Sequence, residues 1–318
     1  MWTDFYWALL AGCALDLLLG DPAWLYHPVC IIGKYISWCE KKLRARGGDL
    51  RRSAVLLTAS TVLVTTAAAG LLVFLSGLLG CVPRLIVMAL LDWMGLSAKC
   101  LAQEAVGVEK ALGRGIEAGR RQVARIVGRD TAALSEREVV CATIETVAEN
   151  TTDGIISPMV YGLLGGPVLM WAFKASSTLD SMVGYLDEKY RDIGWSSAKL
   201  DDVWNYLPAR LTGCLLSLGA ALCGLDGKSA FRIMRRDHRH HKSPNCAWSE
   251  AAAAGALHVQ LGGTHLYFGK PVAKPTIGDD LRAPKREDIR ATVRMMYAAS
   301  GLMLALQTIL VWAAGVLG

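Results

Sequence analysis

Four apolar stretches, about 53–75, 78–98, 205–225 and 298–317, each approach the roughly 20 residues that a helix needs to cross about 30 Å of hydrocarbon. With 53% hydrophobic and 19% charged residues among 318, the chain lies far from the balance of a soluble domain. Two further segments are ambiguous. The stretch 4–20 is short and carries Asp16, and 155–173 holds Pro158, Gly162, Gly165, Gly166 and Pro167. If helical, 155–173 is broken, and broken backbone at membrane depth survives only when buried in protein or lining a cavity. The reading is an all-α, polytopic integral membrane protein with about five (four to six) transmembrane helices. It forms a single integral membrane domain, 1–318, with helical cytosolic insertions at about 21–52, 99–154 and 226–297.

Lys and Arg concentrate between Lys34 and Arg52, Lys99 and Arg137, and Lys228 and Arg294. The positive-inside rule places these connections in the cytoplasm, so 53–98 is a membrane hairpin and the large polar segments face the cytosol. The net charge of +6 is mainly a topology signal, with anionic lipid or anionic substrate as secondary explanations; nucleic acid is not expected as a partner. The segment from Lys174 to Tyr206 is richer in acids than bases and fits this topology poorly unless a neighbouring span is re-entrant. The N-terminus lacks a basic region and a small-residue cleavage site, so it does not read as a signal peptide. Nine cysteines form no C-x-x-C pair, and several lie in apolar segments, so neither a structural zinc nor a disulfide framework is expected. Apolar residues recur at three and four over Ala98 to Ile126 and Glu136 to Ala148, which predicts helices.

Glu145, Glu149, Asn150 and Asp153 crowd the boundary of the apolar segment that opens at Ile155. Glu145 and Glu149 share a helix face, and Asp153–Gly154 reads as a turn or cap that ends the helix. Such carboxylates can hold Mg²⁺ through oxygen and, through it, nucleotide phosphates; a solvated helix end with a capping Asp explains the spacing equally well. Gly224, Gly227, Lys228 and Ser229 only imitate a phosphate loop, because Leu222 stands where its first glycine belongs. They read as a helix stop followed by a new helix. The basic run Arg235 to Asn245, with Arg239 and His241, suits a phosphate clamp or a membrane-surface loop. After Pro244–Asn245 a small-residue helix begins. The glycine-rich stretch from Gln260 to Gly269 reads as a linker, and strand-like alternation is scarce. Asp16, if intramembrane, needs a partner or a function.

Taken in order, Asp16 through Asp21–Pro22 and His27–Pro28, the Glu145 to Pro158 block, Lys174 through Asp180 to Tyr185, Asp201–Asp202 through Arg210, and Ser243 through Glu250 to Gly255 resemble one family. It is the adenosylcobinamide-phosphate synthase family of cobalamin biosynthesis, and the resemblance covers nearly the whole chain. The resemblance implies a multi-pass enzyme of the cell (inner) membrane, and the charge pattern turns its active site toward the cytoplasm. Such an enzyme joins a propionate carboxyl of adenosylcobyric acid, a corrinoid, to the amine of (R)-1-aminopropan-2-ol O-phosphate, giving adenosylcobinamide phosphate at the expense of ATP.

A carboxylate resists attack by an amine and needs activation, most directly as an acyl phosphate, with Mg²⁺ neutralising phosphate charge. On that implied chemistry, Glu145, Glu149 and Asp153 are the candidate metal ligands. Asn150, Lys174, Arg210, Arg239, His241 and Asn245 are candidates for binding phosphate groups or nucleotide. Glu145, Glu149, Asp180, Asp201 and Asp202 are the catalytic candidates, one of the last three accepting a proton from the attacking ammonium. Other membrane enzymes of cobalamin assembly are possible partners. A corrinoid transporter, or a non-enzymatic scaffold for cobalamin assembly, remains open as an alternative.

Overall fold

The computed structural model describes residues 2–22, 24–185, 187–267 and 269–315. In chain order the helices are α1 (Trp2–Leu19), α2 (Pro28–Arg46), α3 (Leu50–Leu78), α4 (Cys81–Gly95), α5 (Ala98–Leu112), α6 (Ile116–Val123) and α7 (Glu136–Thr151). A π-helical turn, Thr152–Ile156, leads into α8 (Ser157–Val183), α9 (Trp195–Trp204), α10 (Tyr206–Leu222), α11 (Gly227–Asp237) and α12 (Cys246–Leu257). Two strands, β1 (Leu261–Tyr267) and β2 (Lys270–Ile277), precede α13 (Glu287–Ala313). Among the described residues five helical stretches are long and apolar enough to cross a membrane: Trp2–Leu19, Leu50–Leu78, Cys81–Leu112, Glu136–Val183 and Glu287–Ala313. The expected span at 205–225 becomes α10, a shorter apolar helix.

The chain divides into two compact units: 1–97, 157–205 and 306–318 form the first, and 98–156 with 206–305 the second. In the first unit, α3 packs on α2, α4 and α8. Ile36, Leu57, Leu91, Trp171 and Leu179 are buried among them. Two tryptophans satisfy their indole N–H groups inside this unit, Trp171 on the Leu91 carbonyl and Trp93 on the Gly20 carbonyl, each at 3.0 Å. Leu63, Leu71, Phe74 and Leu78 remain exposed along α3, the surface expected of a helix bathed in lipid. His27 caps α2 by accepting from the Val29 N–H at 3.2 Å, with Pro28 at the first turn, where its missing donor costs nothing. The expected break in 155–173 falls at Gly165 and Gly166, both non-helical within α8.

In the second unit, α11 packs along α12. A Cβ on Gly255 would stand 2.6 Å from the Ser229 carbonyl oxygen, so the small-residue face of α12 is taken up by a neighbouring helix. Asp226 caps α11 through the Ser229 N–H at 2.8 Å, which places a helix start where the glycine stop implied one. A capping box at Ser135 and Glu138 starts α7.

Two local expectations are corrected. Asp153–Gly154 does not end the helix: the chain stays helical through the π turn, a single-turn geometry that inserts one residue per turn and recurs at functional sites. The glycine-rich stretch 260–269 is no plain linker, since β1 and β2 form an antiparallel hairpin with Thr264 opposite Ala273 and Tyr267 opposite Lys270. Its register slips between Leu261 and Gly263. Gly262 carries that bulge at φ +79°, a conformation only glycine adopts without strain.

Candidate functional site

The bulge frees a backbone donor. The Gly262 N–H, unused by the strand ladder, donates to Glu145 Oε1 at 2.8 Å. Glu145 Oε2 accepts from the guanidinium of Arg129, and the two side chains of this pair are 6% and 5% exposed. Burial opposes the charge on Arg129, but the Glu145 carboxylate more than restores it and holds the guanidinium above its ordinary range. The hairpin is tied to the same loop a second way, by the Asp130 N–H on the Leu266 carbonyl at 2.9 Å and the Gly269 N–H on Asp130 Oδ2 at 2.7 Å.

One turn along α7, Glu149 Oε1 accepts from the Cys246 thiol at 3.0 Å. Burial, with Glu149 and Glu250 close by, pushes that thiol well up, so it remains a protonated donor. Glu250 lies one turn further along α12 and is 5% exposed. Burial first, then the charges of Glu145 and Glu149, hold its carboxyl well above the usual carboxylate range, against the pull of Lys274 and Arg129. Three carboxyl groups thus share the surroundings of two cations. A proton on Glu250 leaves two negative charges facing two positive ones, the cheapest state for a buried cluster.

Two histidines complete the setting, both held below their ordinary range. For His241 the causes are burial and then Lys274; for His265 they are burial and then Arg129. His241 Nδ1 accepts from the Ser243 N–H at 3.0 Å, so the neutral ring carries its proton on Nε2 and is a donor there. His265 has the opposite use: Nε2 lies 3.2 Å from the Gly262 carbonyl oxygen and donates to it, leaving Nδ1 as a bare acceptor. That Nδ1 and Arg129 Nη1 are both buried without a hydrogen-bond partner among the described residues. Buried polar atoms are ordinarily satisfied, so an orphan donor and an orphan acceptor on residues surrounding Glu145 are open to an ordered water or a polar ligand.

The site residues expected from sequence divide between the units. Glu145 and Glu149 come together with Arg129, Glu250 and Lys274 in the second. Asn150 donates to the Thr146 carbonyl of its own helix at 2.9 Å, and Asp153 lies in the π turn. Arg210 stacks on Tyr206 with its guanidinium 3.5 Å from the ring centre and donates to Asn245 Oδ1 at 3.3 Å. Arg239 is exposed. Lys174, Asp180, Asp201 and Asp202 lie in the first unit, where Asn205 donates to Asp201 Oδ2 at 3.0 Å and Lys199 pairs with Asp202 at 3.2 Å. Sequence reasoning missed Arg129, Lys274 and His265, and did not single out Glu250. The available signal for Glu250 was its place four residues after Cys246, on one helix face.

A resident metal is a poor fit to this arrangement. No group of three or more His, Cys, Asp or Glu side chains is placed to hold a metal ion among the described residues. Glu145 spends both oxygens on Arg129 and Gly262, and a protonated Glu250 is a weak ligand. Glu149 remains, which suits Mg²⁺ carried in by phosphate oxygens, since that ion keeps most of its waters and needs only one or two carboxylates.

The model of the family described as "CobD/Cbib protein" matches residues 9–296. The chain is 51% identical over 303 residues to "Cobalamin biosynthesis protein CobD" of Geobacter metallireducens, covering 95% of each chain. It is 45% identical to the protein of the same name from Listeria monocytogenes, over 90% of this chain and 92% of that one. It is also 45% identical to "Cobalamin biosynthesis protein CbiB" of Salmonella typhi, over 94% and 96%. No solved structure matches. With its long apolar helices, the chain is a multi-pass inner-membrane protein. It belongs to the CobD/CbiB family of cobalamin-biosynthesis membrane proteins.

Proposed function

We propose that this protein attaches (R)-1-aminopropan-2-ol O-phosphate to the propionate carboxyl of adenosylcobyric acid, in an ATP-dependent amide-bond formation that gives adenosylcobinamide phosphate. Family membership supports the pathway. The observation that carries the chemistry is the buried cluster around Glu145, with Arg129 Nη1 and His265 Nδ1 left without hydrogen-bond partners among the described residues. Bound ATP would supply a phosphoryl group to the propionate oxygen with departure of ADP, so that this oxygen leaves as inorganic phosphate when the C–N bond forms and the ammonium gives up its protons.

The protein's own groups have three tasks. Arg129 Nη1 and Lys274 stabilise anionic oxygen, with His241 adding a neutral donor at Nε2. Glu149, with Asp153 as the second carboxylate, would hold a Mg²⁺ that enters with the nucleotide, where the ion would neutralise phosphate charge. His265 Nδ1 takes the proton that the ammonium must lose before nitrogen can bond to the carboxyl carbon. Glu145 positions Arg129 and the hairpin and touches no substrate in this scheme. Arg210 with Asn245 and the exposed Arg239 are phosphate-binding candidates, and Asn150 stays a candidate for the nucleotide. Lys174, Asp180, Asp201 and Asp202 belong to the proposal through family resemblance alone. Other enzymes of cobalamin assembly in the same membrane are the proposed partners.

Vesicles reconstituted with the full chain separate this reading from transport. Amide product formed at the expense of ATP supports the ligase, whereas unmodified corrinoid accumulating inside the vesicles, without product, overturns it in favour of a carrier.

A further inference from the structure

The first unit contains an apolar cavity of about 340 Å³ that the proposed reaction does not use. Ile31 and Tyr35 of α2, Ala68 and Leu72 of α3, Leu91 of α4 and Trp171 of α8 line it. Leu91 and Trp171 close its inner side, 7% and 3% exposed, while Ile31 and Leu72 are 57% and 52% exposed at its mouth. On α3 that mouth joins the exposed apolar face formed by Leu63, Leu71 and Leu75. α3 is long and apolar enough to cross a membrane, so a cavity opening on its exposed face is open to acyl chains, and α2, which the charge pattern placed in a cytosolic insertion, packs against that span.

A stripe on α2 says which lipid. Ile31, Tyr35, Trp38 and Lys42 are spaced by four, three and four residues and share one helix face. The Tyr35 and Trp38 rings are 5.9 Å apart, and the Lys42 ammonium lies 4.1 Å over the Trp38 ring. At 1.5 Å per residue, Tyr35 and Ile31 lie roughly 10 and 17 Å along the axis from Lys42, which brackets the ~15 Å depth of one leaflet. Exposed Lys41 stands beside exposed Lys42, and Arg46 follows at the helix end. Basic residues beside an exposed tryptophan, about one leaflet depth from an apolar hole, match the order of a phospholipid: anionic headgroup, interface, chain.

We infer that this cavity holds one acyl chain of an anionic phospholipid whose headgroup rests on Lys41 and Lys42. The test is native mass spectrometry of the full-length protein in detergent, titrated with phosphatidylglycerol or with phosphatidylcholine of identical chains. Phosphatidylglycerol is retained about tenfold more strongly by the wild type. Lys41→Glu with Lys42→Glu abolishes that preference. Ala68→Trp, which fills the cavity, lowers phosphatidylglycerol retention about tenfold, the loss expected when the chain is denied its apolar contacts. Leu72→Trp, at the exposed mouth, does the same and serves if Ala68→Trp does not fold. Equal retention of the two lipids by the wild type overturns the proposal, as does wild-type retention by both tryptophan variants with unchanged unfolding temperatures. Retention is read without substrate, so its outcome is independent of the ligase assay.

Discussion

The Arg129 guanidinium and the Glu145 carboxylate meet as an enclosed ion pair, and the same carboxylate holds the bulged hairpin through the Gly262 N–H at 2.8 Å. One side chain of α7 thereby fixes both a loop cation and a β-hairpin. Nη1 of its partner cation has no hydrogen-bond partner among the described residues. Buried ion pairs contribute little net stability compared with apolar substitutes, so such a pair is better understood as a device for placing Arg129 and the hairpin.

Breaking that pair from one side leaves a buried, uncompensated guanidinium. Glu145→Gln is expected to destabilise the protein by roughly 3–5 kcal/mol, and Glu145→Leu combined with Arg129→Met to recover a large part of that loss. Thermal unfolding in detergent reads both. Amide formation stays low in the double variant, because the orphan donor is gone.

Glu250→Gln behaves differently from Glu145→Gln. Since burial and the charges of Glu145 and Glu149 raise the Glu250 carboxyl above its ordinary 4.5, the folded protein keeps a proton there that the unfolded chain has already released. Stability from this group is complete below about pH 4.5 and is lost as pH rises through the folded value. Glu250→Gln, which mimics the protonated form, is near neutral at low pH and gains on the wild type as pH rises. Unfolding midpoints across pH 5–9 show whether the two curves diverge in that direction.

His241 and His265 give the acid side of the profile. Their folded values lie below the ordinary 6.5, so the unfolded chain takes up protons first and stability falls as pH drops below about 6.5. His241→Gln with His265→Gln flattens that limb, a change visible in the same midpoints.

Gly262→Ala forces a side chain into a positive-φ position, where its Cβ would stand 2.4 Å from the Pro275 carbonyl oxygen. The strain, about 1–3 kcal/mol, is relieved only by opening the bulge and giving up the bond to Glu145. The expected result is earlier loss of hydrogen-exchange protection in 261–277 than in α7.

Much of the membrane architecture was legible in sequence because hydrocarbon imposes a length on each span and tolerates few charges. The break in α8 was equally readable, since Pro167 cannot donate to the preceding turn and Gly165–Gly166 just before it weaken the helix. The hairpin was not. Pro271 and Pro275 argue against a strand at β2, and Gly262–Gly263 resemble a linker until the bulge gives them a purpose. Glu145 and Glu149 drew attention by their spacing, whereas Arg129 sits in a loop 16 positions away from Glu145, a separation with no helical meaning. Nor does local pattern show that Lys274 and Glu250 come to the same place, which is a product of tertiary packing.

The central claim is tested most directly by the mass of the corrinoid product. Purified full-length protein in detergent is given adenosylcobyric acid, aminopropanol phosphate, ATP and Mg²⁺, beside a folded Glu149→Gln variant. The account predicts an ATP-dependent product heavier than adenosylcobyric acid by the amine minus water, with turnover at least about 100-fold lower in the variant. Undiminished turnover by Glu149→Gln, or no mass change with folded wild-type protein across amine donors and divalent metals, would contradict it.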